Sequence, residues 1–187
     1  MSFSPDGKRL VFVQAGGTSP SFDLMMVDVE SSGAAPTPLV ASPSDEWNGE
    51  ISPDGKWLAY QSNESGRPEI YVRPFPNVAD ARIQVSTNGG TRPLWRHDGR
   101  ELYYFLGPGF VHAVSVQTGA AFKAGTPEVV VKGTYAAPQV GRVYDASADG
   151  RRFLLIKPGQ GEEQGESRQL VVVLNWLEEL RRLVPAR

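Results

Sequence analysis

An all-β chain assembled from about four copies of one small antiparallel unit is the fold class this sequence predicts, and three observations lead to it. The first is an Asp-Gly pair that recurs four times, each followed by a basic residue and a short apolar run: Asp6-Gly7-Lys8, Asp54-Gly55-Lys56, Asp98-Gly99-Arg100 and Asp149-Gly150-Arg151. The Asp residues stand 48, 44 and 51 apart, the period of one supersecondary unit. The second is register: the large apolar residue four after each Asp is kept as Leu10, Leu58, Leu102 and Phe153. The third is punctuation. Twenty Gly and fifteen Pro are spread between the apolar runs rather than clustered, as in a chain of many short strands and turns.

Asp-Gly between apolar segments is a hairpin signal because Gly tolerates positive φ and Asp can hydrogen-bond its own turn backbone. Pro5 and Pro53 preset φ one residue earlier, a place taken by His97 and Ala148 in the later copies. These Asp and Lys residues are therefore read as turn chemistry on solvated hairpin tips, not as ligand groups. Between the turns the strands follow in order. In the first unit Met1 to Ser4, Leu10 to Gln14, Asp23 to Val29 and Thr37 to Ala41 are expected to be extended. In the second they are Glu46 to Ser52, Lys56 to Ser62, Glu69 to Pro74 and Arg82 to Ser86. The third offers Arg92 to Arg96, Glu101 to Leu106, Val111 to Val116 and Glu128 to Lys132, and the last Arg142 to Ser147, Arg152 to Lys157 and Gln169 to Leu174. Four short antiparallel strands per unit is the blade of a β-propeller. The expected blades are about 1–42, 43–87, 88–133 and 134–174. They are followed by a helix and tail over 175–187, where Trp176, Leu177, Leu180, Leu183 and Val184 share a face and Pro185 ends the segment. A chain holding part of a ring leaves unpaired sheet edges, which predicts self-association; a self-contained four-bladed ring is the alternative.

Composition narrows the function classes. The formal net charge is −2 with no long run of one sign, which argues against a nucleic-acid surface. Cysteine is absent, so disulfides, thiolate catalysis and Cys-ligated metals are excluded. No stretch of these residues reads as an export signal or a membrane span. Only His97 and His112 are available as bases, Gly-x-Ser-x-Gly does not occur, and two separate histidines make a poor zinc set. No catalytic residue, metal or cofactor is expected, and the chain is not expected to be an enzyme in itself.

Ser52-Pro53-Asp54-Gly55-Lys56 followed by Trp57-Leu58-Ala59-Tyr60 and then Glu69-Ile70-Tyr71-Val72 resembles the TolB-type, WD-like propeller repeat. The second unit is a nearly complete match, the first and third are partial, and the fourth keeps its Asp-Gly core, together covering about 1–157. The ending Leu170 to Leu180 looks like that of large bacterial proteins in which such repeats follow a serine/threonine kinase domain. The resemblance implies the C-terminal portion of a larger propeller protein, a module for protein interaction or ligand sensing, and a periplasmic or extracytoplasmic setting. It also allows a second reading, the propeller portion of an enzyme such as an oligopeptidase gate or a sugar-acid lyase whose catalytic part lies elsewhere. Repeat identity constrains fold far more than function.

The first strand of a propeller blade is its innermost, so residues early on those strands face the central channel. Trp47, Arg92, Arg142 and Tyr144 hold such places and form the candidate binding set, aromatic and guanidinium groups suited to an anionic peptide terminus or a sugar acid. The competing structural role for them is an inter-blade ion pair or plain surface. Expected partners are thus a protein or peptide, or a small anionic ligand. Trp57 and Trp95 are expected to pack between blades.

Overall fold

The computed structural model describes residues 1–15, 21–107, 109–119, 121–135 and 141–156. Among these residues every regular element is a strand, and all pairing is antiparallel. The first sheet runs β1 (Ser2–Phe3), β2 (Arg9–Ala15), β3 (Phe22–Asp28), β4 (Thr37–Val40), in that spatial order. The second repeats it with β5 (Glu46–Ile51), β6 (Trp57–Ser62), β7 (Glu69–Pro74) and β8 (Ile83–Gln84). The third comprises β9 (Thr91–Trp95), β10 (Glu101–Leu106), β11 (Phe110–Thr118), β12 (Phe122–Ala124) and β13 (Glu128–Lys132). The fourth is described as β14 (Tyr144–Ala146) paired with β15 (Phe153–Leu155).

One feature departs from the sequence reading. The outer strand of the third sheet is split: β12 pairs with Val116 to Thr118 and β13 with Phe110 to Ala113, both along β11. The turn Gly125-Thr126-Pro127 separates the two pieces, since Pro cannot donate to a ladder. The strand expected at Gln169 to Leu174, the helix over 175–187 and Trp176 lie outside the described residues. Among the described residues no helix is long and apolar enough to cross a membrane.

The four Asp-Gly turns are built alike. In each, the Gly amide donates to the carbonyl three residues earlier, Gly7 to Ser4, Gly55 to Ser52, Gly99 to Arg96 and Gly150 to Ser147, at 2.8 or 2.9 Å. The Gly φ values are 73, 70, 70 and 69°, in the left-handed region that L side chains avoid. The Asp carboxylate accepts the amide two residues on, Lys8, Lys56, Arg100 or Arg151, at 3.0 or 3.1 Å. In three turns the Ser two before the Asp adds a second layer, its hydroxyl donating to the carboxylate and accepting the amide five residues on. The Ser hydroxyl, then the backbone amide, hold the Asp6 and Asp149 carboxyls below the usual range. In the third turn Arg96 replaces Ser, pairing with Asp98 at 3.4 Å and Glu101 at 3.1 Å.

Period-2 alternation gives each sheet two faces, and the facing apolar sides of successive sheets pack together. Val11, Leu24 and Val40 of the first sheet meet Ile51, Leu58, Tyr60 and Tyr71 of the second. Trp57, Ala59, Ile70 and Val72 on the other face of the second meet Trp95, Leu102, Tyr104, Val114 and Phe122 of the third. Leu94, Tyr103, Phe105 and Val111 then meet Val143, Tyr144, Phe153 and Leu155 of the fourth. The core is therefore three successive layers between sheets, and Trp57 and Trp95 lie in the middle one as expected. Phe122 on β12 sits 5.3 Å from the Trp57 ring and 6.2 Å from that of Trp95, which is why this short strand is held.

Candidate functional site at the convergence of the inner strands

The first strands of neighbouring sheets lie side by side, β1 against β5 and β5 against β9. Their residues occupy registers counted back from each turn Asp. A cleft of about 520 Å³ is lined by the residues one before the Asp (Pro5, Pro53, His97, Ala148), and also by those three and four before it, among them Ser2, Glu50, Leu94 and Asp145. That volume lies in the range of small-molecule sites. Glu50 and Arg142 also border a smaller cavity of about 60 Å³, whose wall includes Asn48, Gly49 and Arg92.

The backbone makes this smaller cavity. Asn48 and Arg92 each stand six residues before a turn Asp, and each adopts positive φ, 53 and 54°. At both places the ladder slips, between Trp47 and Glu50 on β5 and opposite Tyr103 to Phe105 on β9. A bulge of this kind re-aims side chains, here toward the shared axis. Gly49 follows the first bulge because a Cβ there would fall 3.1 to 3.2 Å from the Leu24 and Val11 side chains of the preceding sheet.

Arg92 is the unusual group. It is only 8 % exposed. Its guanidinium donates to the Gly141 carbonyl at 3.2 Å and the Thr91 hydroxyl at 3.1 Å, and among the described residues it has no carboxylate partner. Burial pushes its pKa down, the direction of a cation that lacks a counter-charge. Its carbonyl accepts the Tyr144 hydroxyl at 2.8 Å, and burial raises the Tyr144 pKa well above the ordinary phenol value, so that hydroxyl stays a donor. Arg142, by contrast, is paired: its guanidinium donates to Glu50 at 2.5 Å, bridging the second and fourth sheets, with Asp145 at 3.9 Å. Burial works to lower the Arg142 pKa, but Glu50 together with Asp145 and Tyr144 outweighs it and the net direction is upward. Burial raises the Glu50 pKa despite Arg142.

Of the four candidates read from sequence, Arg92 and Arg142 come together at the cavity, and Tyr144 lies beneath it, fully buried. Trp47 does not join them. Its ring meets Phe22 edge-on at 5.0 Å, toward the far end of β5, and its indole nitrogen is buried without a hydrogen-bond partner among the described residues. Arg142 takes the inter-blade ion pair that was its alternative. Asn48 and Glu50 were missed, although Asn48 stands six before its turn Asp, the same register as Arg92. His112 stacks on Tyr104 at 5.2 Å, and burial lowers its pKa. Among the described residues no group of three or more His, Cys, Asp or Glu is arranged to hold a metal ion.

Successive antiparallel sheets, two of them four-stranded and a third with its outer strand split in two, packed face to face with the first strands of neighbouring sheets side by side, make this chain a run of β-propeller blades. No family model matches it, and no curated protein does. Solved structures do. It is similar to a protein described as TolB from Agrobacterium tumefaciens at 17% identity and TM-score 0.51, over 71% of this chain and 50% of that one. It is similar to hydrazine synthase from Kuenenia stuttgartiensis at 15% identity and TM-score 0.57, over 84% and 57%. The periplasmic gluconolactonase of Pseudomonas aeruginosa matches at 19% identity and TM-score 0.51, over 80% and 47%. At these identities the likeness is one of fold, and it agrees with the TolB-type propeller resemblance read from the repeats. The chain spans about half the length of the structures it matches.

Proposed function

We propose that this chain is a non-catalytic propeller module that binds a small anionic group, such as the free carboxylate of a peptide or a sugar acid, where the inner strands converge. The observation that carries this is the buried Arg92 guanidinium, bonded only to neutral oxygens beside a cavity. A buried cation without a counter-charge is costly to hold, and an arriving anion supplies the missing partner through charge-assisted, two-pronged hydrogen bonds. The paired Arg142 and Glu50 border the same cavity. On this reading the protein acts as a ligand-sensing or interaction part of a larger TolB-like repeat protein. Gluconolactonase and hydrazine synthase share the fold, so the propeller portion of an enzyme is the competing reading; no observed constellation favours it.

Calorimetric titration with short peptides bearing a free C-terminal carboxylate, their amides, and a panel of sugar acids tests the proposal. The acids are expected to bind and the amides to lose about tenfold or more, the worth of a charged hydrogen bond. Arg92→Gln should abolish that preference while Arg142→Gln reduces it less. Equal binding of acids and amides, or turnover of any of these compounds by the purified chain, would sink the idea.

A further inference from the structure

Gln61 is the polar exception in its register. Counting seven residues on from each turn Asp gives Val13, Gln61, Phe105 and Ile156, so a side chain that is apolar in three copies is an amide in the second, where it is 9 % exposed. It sits on β6 in register with Trp47, at the place where the β5 ladder slips. Its carbonyl oxygen Oε1 accepts two hydrogen bonds. One comes from Asn48 Nδ2 at 3.1 Å, within the second sheet, and one from the Arg92 backbone N–H at 3.4 Å, across the gap to the third. Asn48 and Arg92 are the two residues other than Gly, among the described ones, whose φ is positive. One oxygen thus ties both bulges together.

Arg92 is held from its other side as well. The Tyr144 hydroxyl donates to its carbonyl at 2.8 Å, and the Tyr144 ring is itself fixed against Phe105, edge-on at 4.8 Å. A residue other than Gly keeps a positive φ only where its surroundings fix it there, and a backbone polar group out of water must find a partner. Both backbone groups of Arg92 are fixed in this way, one from β6 and one from β14, while its guanidinium borders the cavity. Relaxed to an ordinary extended backbone, the same side chain would be aimed elsewhere. We infer that Gln61 and Tyr144 are positioning residues: by gripping the N–H and the carbonyl of Arg92 they aim its guanidinium at the cavity and so set the strength of anion binding. Neither borders the cavity itself. The inference rests on the anion-binding reading of Arg92 given above.

Two substitutions in the full chain test it. Gln61→Met removes the accepting oxygen at nearly the same length, and Tyr144→Phe removes the hydroxyl alone. Calorimetric titration with short peptides carrying a free C-terminal carboxylate, and with their amides, reads the preference for the acid; amide hydrogen exchange followed by NMR reads the Arg92 N–H. In Gln61→Met the preference is expected to fall by about fivefold or more, the worth of one hydrogen bond, with amide affinity unchanged and the Arg92 N–H exchanging faster. Tyr144→Phe should lower the preference in the same direction. Leu58→Ala, which loosens the packing between the first two sheets, is the control and should leave the preference as it was. A preference retained in either folded variant overturns the role of that residue while the anion reading stands, and should one variant fail to fold, the other decides. Unchanged exchange at Arg92 in Gln61→Met overturns the inference too, as does an equal loss of preference in Leu58→Ala, which means that any destabilisation loosens the site. No preference for acids in the unaltered chain overturns the anion reading, and the inference with it.

Discussion

Leu58 and Leu10 occupy the same place in two copies of one repeat, so truncating each to Ala separates the worth of inter-sheet packing from that of the repeat itself. Leu58 is fully buried among Val11, Leu24, Ile51 and Tyr60, between two sheets. Leu10 lies on the face of the first sheet turned away from the second, opposite to Val11, and is half-buried. Removing a fully enclosed leucine forfeits its transfer energy and leaves a cavity, together about 3 kcal/mol within a range of roughly 2 to 5. The half-buried leucine loses about 1 kcal/mol, because it has only part of a shell to leave and water refills the space. For a chain of this size those losses correspond to falls in melting temperature of about 6–12 °C and about 2–4 °C. Urea and thermal unfolding, run at a protein concentration low enough to keep single chains, measure both. If Leu10→Ala proves as damaging as Leu58→Ala, that face of the first sheet is covered as fully as the inter-sheet layer and the reasoning from register fails. A loss below about 1 kcal/mol for Leu58→Ala would show that the sheets are not packed as described.

Two further perturbations read out local physics. Gly7→Ala and Gly150→Ala both force an L residue to φ near +70°, which costs about 1–2 kcal/mol. Gly150→Ala should be the more harmful in thermal unfolding, because its Cβ would fall 2.6 Å from the Tyr103 hydroxyl and 2.9 Å from Arg96 Nε, whereas nothing lies within 4 Å of Gly7; equal losses would contradict that crowding. Glu46, 2 % exposed, has its carboxyl pKa raised by burial above the ordinary 4.5, with the Ser42 hydroxyl opposing. The folded state therefore holds that proton more tightly than the unfolded one, so the contribution of Glu46 to stability is lost as pH rises from about 4.5 through the folded value. Glu46→Gln should flatten this fall in pH-dependent urea melts, and a slope unchanged by the substitution would refute the assignment.

Much of the fold was legible because its signals are local. Strands β7, β10 and β13 run over the very residues expected, since alternation and flanking turns bound them on both sides. β12 escaped notice because three residues are too few to show a period, and the single hint was Phe122 standing between two glycines. The site was only half legible. Arg92 and Arg142 follow from counting back from the turns, but the bulges that aim Asn48 and Arg92 need positive φ at residues other than Gly. In Arg92 nothing local announces it. The Glu50 partner of Arg142 is 92 residues away in the chain, a pairing set by how the sheets converge and invisible to any window of sequence. Trp47 was placed by register alone, and its aromatic neighbour Phe22, from the preceding sheet, drew it elsewhere.

In the Asp-Gly corner, the Gly amide, the Asp carboxylate and, in three copies, the Ser hydroxyl answer one another and ask nothing of the residue just ahead of the Asp. That residue, Pro5, Pro53, His97 or Ala148, nevertheless borders the wide cleft in all four copies. The hydrogen bonds of the corner and the lining of the cleft are thereby separated: exchanging these four side chains changes the chemistry of the cleft wall while the bonds that close each hairpin keep their partners.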